Sequence, residues 1–80
     1  MDLNIRSKVR EHISRRLLRK YDSGTFADSE SLFVSGRLDS LDALETVVFL
    51  ESVYGIDFAK NGFDIALIDS IDAISAIAGE

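Results

Sequence analysis

Few residues in this chain could do chemistry. Of its 80 residues none is cysteine and one is histidine, so it has no thiol nucleophile and no disulfide of its own. The nucleophile candidates are therefore hydroxyls, and Ser40 stands apart by its setting. It lies in Asp39-Ser40-Leu41-Asp42, just ahead of an apolar run. Aspartate before such a run is N-cap chemistry. Ser40 is thereby placed at the lip of a helix, where unpaired backbone N–H groups and the positive end of the dipole converge. A phosphate esterified to its hydroxyl would be well placed electrostatically and open to solvent. Capping alone also accounts for Asp39-Ser40. No evident base serves Ser40, because His12 reads as a buried or boundary packing residue on the core side of the first helix, and a Ser-His-Asp set is not expected. Asp39 and Asp42 are three apart, which first-turn stabilisation explains without a metal. Residues 22–33 lack the spacing and the closing glutamate of a calcium loop, and no glycine-rich phosphate loop is present. Phe26, Phe33, Phe58 and Phe63 read as core and loop anchors. With no catalytic set, the chain is expected to be a substrate of enzymes and not an enzyme itself.

The elements that must position Ser40 follow from periodicity, since proline is absent. Ile5, Val9, Ile13 and Leu17 recur every four residues, with His12 and Arg16 on the same side, and predict an amphipathic helix over about residues 3–19. Arg15, Arg16, Arg19 and Lys20 suit its C-terminus. From Tyr21 to Leu38 the period stops and turn formers dominate. So long a loop in so short a chain asks for anchors, and Leu32, Phe33 and Val34 are the candidates. A second helix is predicted from Ser40 to Tyr54, capped by Asp39 and ended by Gly55. Asn61-Gly62 breaks any long helix after it, leaving a connector with a short helix near 64–67. Asp69 or Ser70 caps a last helix with Ile71, Ile74, Ile77 and Ala78 inward. The class is all-α, with three main helices and a minor one in a single domain over residues 1–80.

The second helix has two apolar sides. At about 100° per residue, Ala43, Thr46, Val47, Leu50, Val53 and Tyr54 share the side that can make the core. Leu41, Leu44 and Val48 gather on nearly the opposite side, flanked by Glu45, Glu51 and Ser52. An apolar centre with a charged rim is the anatomy of a protein-binding surface. Cover by the 21–38 loop or by another helix would serve equally well, and helical geometry alone leaves both open.

Charge divides the chain. Residues 1–20 carry a net +5 and residues 21–80 a net −10, for −5 overall. An acidic body argues against nucleic acid as a partner and for proteins with basic patches. Hydrophobic residues at 46% argue for a folded globule. No apolar run approaches the roughly 18 residues of a membrane span, and the charged first residues are unlike a secretory signal. A cytoplasmic protein fits these features and the lack of cysteine.

Gly36-Arg37-Leu38-Asp39-Ser40-Leu41-Asp42-Ala43-Leu44-Glu45 resembles the signature of acyl carrier proteins, in which Asp-Ser-Leu opens the second helix of a four-helix bundle. Val47, Leu50, Glu51 and Gly55-Ile56-Asp57-Phe58 follow the family too, as do the length, the long first loop and the acidic balance. The resemblance covers nearly the whole chain and implies a four-helix bundle of acyl-carrier type. It implies that a phosphopantetheinyl transferase moves phosphopantetheine from coenzyme A to Ser40, whose arm then carries acyl or aminoacyl groups as thioesters between enzymes of fatty acid, lipid, polyketide or nonribosomal peptide biosynthesis. The absent thiol agrees, because the cofactor would supply it. Asp39 looks like the motif aspartate that helps the transferase and its Mg²⁺ engage the serine. Leu41, Asp42, Leu44, Glu45, Val48 and Glu51 occupy positions that resemble the family's recognition helix, which docks on basic patches of the transferase and of acyl-handling enzymes.

Some residues depart from the family pattern. The first helix is unusually basic: Lys8, Arg15 and Arg19 fall on one side of it, read as a solvated face, with an acidic partner or the acidic remainder of the chain as alternatives. Ser52 stands where the family often has a carboxylate, and Phe49 is bulky for its place. These departures fit a specialised, free-standing carrier at least as well as a house-keeping one. The alternative is a helical protein-interaction domain of the same fold that carries no cargo. A monomer is the default expectation.

Overall fold

The computed structural model describes residues 5–21 and 23–78. Helix α1 runs Ile5–Arg19, α2 Ser40–Tyr54, α3 Phe58–Asn61 and α4 Ile71–Ile77, with a 3-10 turn at Ile65–Ile68 before α4. No strand occurs among the described residues. The all-α expectation therefore holds, as a small helical bundle. Residues 3 and 4 of the expected first helix lie outside the described residues. The short helix expected near 64–67 is the 3-10 turn. Helix α3 went unforeseen: Asp57 caps it by accepting from the Lys60 N–H at 3.0 Å, a local signal that the Asn61-Gly62 break outweighed.

The core is built from one face of each helix. Ile5, Val9, Ile13 and Leu17 of α1 are buried, as their spacing requires. They meet Ala43 and Leu50 of α2, Phe58, Ile68, and Ile71 and Ile74 of α4. Val53, expected in the core, is 51% exposed; at about 100° per residue it stands at the edge of the buried face, while its neighbour Tyr54 packs against the core. Gly55, at φ 67°, takes the left-handed conformation that ends α2, and its N–H donates to the Glu51 carbonyl at 3.1 Å. Ser70, one of the two caps considered, opens α4 by accepting from the Ala73 N–H at 3.0 Å.

Asp69, the other, fastens the long loop. Its Oδ1 accepts from the backbone N–H groups of Leu32 (3.2 Å), Phe33 (2.7 Å) and Val34 (2.9 Å), and its Oδ2 from the Ser31 hydroxyl (2.6 Å). The Leu32 N–H also reaches the Asp69 carbonyl at 2.8 Å. Leu32 and Phe33 are buried by this arrangement, whereas Val34, expected to help pin the loop, is 71% exposed. Partial burial would raise the Asp69 pKa, but the hydrogen bonds from Ser31, Val34, Phe33 and Leu32 outweigh it and hold the carboxyl below its ordinary value. A second fastening comes from α1: Arg6 pairs with Asp28 (3.1 Å) and Asp72 (2.8 Å), and Arg10 pairs with Asp28 while lying over the Phe26 ring. Much of the basic first helix is thus matched within the chain.

Candidate functional site around Ser40

The first turn of α2 is fixed by a reciprocal cap. The Asp39 carboxylate accepts from the Asp42 N–H, and the Asp42 carboxylate accepts from the Asp39 N–H, both at 3.1 Å. Two of the orphan donors of the helix start are satisfied in this way. Cations from the end of α1 surround the cap. Arg16 Nε donates to Asp42 Oδ1 at 2.8 Å, and Lys20 Nζ sits 2.8 Å from Asp39 Oδ2 and 3.0 Å from Asp42 Oδ2. The Lys20 ammonium, followed by the backbone N–H of Asp42, holds the Asp39 carboxyl well below the ordinary carboxylate range. Asp39 in turn, then Asp42, raises the Lys20 pKa.

Asp42 corrects an expectation. Grouped by sequence with the partner-facing residues, it is 3% exposed. Its carboxylate is committed to the cap and to two cations, so it cannot present a surface to another protein. The charge division in the sequence was the available signal: a basic helix end must meet carboxylates somewhere, and Arg16 and Lys20 meet them here.

Ser40 lies just outside this network. It is exposed, and its hydroxyl takes part in no hydrogen bond among the described residues. Two open depressions adjoin it. One, of about 250 Å³, is lined by Phe33, Leu38, Asp39, Ser40 and Ile65. The other, of about 360 Å³, is lined by Ser40, Ala43, Leu44, Val47, Phe63 and Ile65 and is almost wholly apolar. Phe63, read from sequence as an anchor, is 49% exposed and stands edge-on to Phe58 at 5.6 Å, forming a wall of this groove. Nothing in the spacing of residues 56–68 indicated that wall.

Along α2, Leu41, Leu44 and Val48 are 61%, 60% and 48% exposed, which decides between the two readings that helical geometry left open. Glu45 and Glu51 are exposed beside them. The other side of the helix faces α1. There His12 Nε2 lies 3.1 Å from Thr46 Oγ1, the Thr46 hydroxyl donates to the Asp42 carbonyl at 2.8 Å, and the His12 ring stacks on Phe49 at 4.5 Å. Because the Thr46 proton is committed, Nε2 carries the hydrogen in the neutral ring. Burial, and after it the nearby Arg16, lowers the His12 pKa despite Glu45 and Asp42. His12 is therefore a boundary packing residue, as its spacing predicted, and Phe49 fills the α1–α2 seam.

Among the described residues no cluster of His, Asp and Glu has the geometry to hold a metal ion. None of their helices is long and apolar enough to cross a membrane. In comparisons with protein-family models, curated proteins and solved structures, nothing matches this chain.

Proposed function

We propose that this chain is an acyl carrier protein that receives phosphopantetheine on Ser40. The single observation that carries the reading is the setting of the Ser40 hydroxyl: exposed, without a hydrogen-bond partner among the described residues, at the N-terminus of a 15-residue helix. A phosphodiester there would meet the positive end of α2. The exposed hydroxyl is open to it, and the adjoining apolar groove offers Leu44, Val47, Phe63 and Ile65 to an apolar acyl cargo. The group fits the residues present. When attached it supplies the thiol the chain lacks, which holds an acyl or aminoacyl group as a thioester.

Leu41, Leu44 and Val48, with Glu45 and Glu51 at their edges, form the surface offered to the transferase and to acyl-handling enzymes with basic patches. Exposed ion pairs contribute roughly 0.2–1 kcal/mol each. A few of them around a small apolar patch give recognition that salt weakens and that releases readily, as a shuttle between enzymes requires. Asp39 is offered to the transferase beside Ser40, on the condition that Lys20 yields it.

The second reading is a helical interaction domain without cargo. It is favoured by the full structural occupation of Asp39 and Asp42, which gives Asp-Ser-Leu a folding role of its own. Ser40→Ala separates the two. Under the carrier reading the wild type gains one phosphopantetheine and the variant, with an unchanged circular dichroism spectrum, gains none. Equal modification of both, or of neither, sinks the carrier assignment.

A further inference from the structure

A pocket of about 380 Å³ opens at the far end of α2 from Ser40, about 21 Å away along the helix axis. It lies where helices end. Tyr54 and Gly55 close α2, Gly62 follows α3, Ile77 and Ala78 close α4, and all five line it. The last carbonyls of a helix find no donor within it and carry the negative end of its dipole. Neither α2 nor α4 answers with a basic side chain in its last turn. Asp57 adds a carboxylate to the lining. Its Oδ1 caps α3 at the Lys60 N–H, and its Oδ2 has no partner among the described residues. Lys60 itself is exposed and is not part of the lining, which holds no basic side chain. The wider charge has the same sign: from residue 38 to residue 80, Lys60 is the one basic side chain against nine carboxylates.

The remaining walls are apolar. Phe58 is buried, and Tyr54, Leu67 and Ile77 are half-buried and packed on the core. Such walls take hydrocarbon, and the volume is that of a small-molecule site. The charge around them decides the sign of the ligand. An anion would meet two helix C-termini and a carboxylate. A cation would be attracted by all three. One carboxylate does not make a metal site, and no cluster of metal-binding side chains occurs among the described residues, so the cation is organic. We propose that this pocket binds a small organic amine in its ammonium form, with the hydrocarbon against Tyr54, Leu67 and Ile77 and the ammonium beside Asp57 and the ends of α2 and α4. The site stands a helix length from Ser40 and does not depend on what Ser40 carries. Its occupant leaves the first turn of α2 and the groove beside Ser40 uncovered.

Amide-resolved NMR titration of the full chain tests it with three probes of one shape and different charge: phenethylammonium, 2-phenylethanol and 3-phenylpropionate. The ammonium probe should saturate in the low millimolar range, with its shifts centred on residues 54–58, 62, 67 and 77–78. A dipole end and one exposed carboxylate favour it over the neutral alcohol by about five-fold; the anionic probe should bind more weakly than either. Asp57→Asn keeps the cap, since asparagine serves that position as well as aspartate, and should shrink the preference for the ammonium over the alcohol. Ala78→Phe places a ring in the pocket and should abolish binding of all three probes, while the amide spectrum away from the pocket shows that the fold is kept. The three probes need no variant, so a misfolded variant does not shield the proposal. Equal affinity for the three probes, shifts centred elsewhere, an undiminished preference in Asp57→Asn, undiminished binding in a folded Ala78→Phe, or no saturation of the ammonium probe by about 10 mM would each overturn it.

Discussion

Replacing Asp69 with alanine should loosen the loop that carries the chain to Ser40. Four hydrogen bonds converge on this carboxylate, three from consecutive backbone N–H groups and one from Ser31. A dry hydrogen bond to a charged acceptor contributes about 1.5–3 kcal/mol. Asp69 is only half-buried and the Val34 N–H can regain water, so solvent screening cuts the total to about 2–3 kcal/mol. A domain of this size has of the order of 5 kcal/mol to lose. At about 4–8 °C per kcal/mol, the melting temperature should fall by about 10–20 °C. Asp69→Asn keeps one acceptor oxygen and should lose about half as much. Urea unfolding followed by circular dichroism gives the free energy, and limited proteolysis reports the loop, where cleavage within residues 23–38 should accelerate before global unfolding does. The pH dependence supplies a second signature. Because the folded-state pKa lies below the ordinary 3.8, the stability from Asp69 is complete above that value and is lost as pH falls below it. Asp69→Ala should therefore flatten the acid limb. A variant within about 0.5 kcal/mol of wild type, with an equally protected loop, would refute the reasoning.

His12 should govern stability at higher pH than the carboxylates do. Its folded-state pKa lies below the ordinary 6.5, so between the two values the unfolded chain binds more protons, and stability falls as pH drops from 6.5 toward the folded value. Thermal melts across that window should show the slope, and His12→Asn should abolish it. Arg16→Met strands a carboxylate that is 3% exposed. Breaking a buried pair costs about 3–5 kcal/mol, but Lys20 still reaches Asp42 Oδ2 at 3.0 Å, so urea unfolding should show a loss of about 2–3 kcal/mol. Charge reversal at Glu45 or Glu51 should slow transferase-catalysed loading and reduce its salt dependence; unchanged kinetics in both variants would count against α2 as the docking surface.

What the sequence made legible was whatever repeats with a helical period. The fourfold spacing of Ile5, Val9, Ile13 and Leu17 gave α1 its buried face, and Asp39 and Gly55 bounded α2 at both ends. The exposed side of α2 was visible as an alternative, and deciding it needed the structure, since periodicity says which residues share a side but not what covers that side. Side-chain commitments across the fold were least legible. Asp42 looks the same in sequence whether it faces a partner or Arg16, and only the antiparallel register of α1 and α2 decides. Asp69 carries no local sign that it will collect the N–H groups of residues 32–34, because those donors stand more than thirty positions earlier. Phe63 belongs to a segment without period, so its place as a groove wall depends on how α3 and the 3-10 turn pack.

The central claim is that Ser40 is a site of covalent modification, and intact mass addresses it most directly. The chain would be weighed before and after incubation with coenzyme A, Mg²⁺ and a broad-specificity phosphopantetheinyl transferase, beside Ser40→Ala. The account predicts a gain of one phosphopantetheine in the wild type and none in the variant. No gain with several transferases, or an equal gain in the variant, would contradict it.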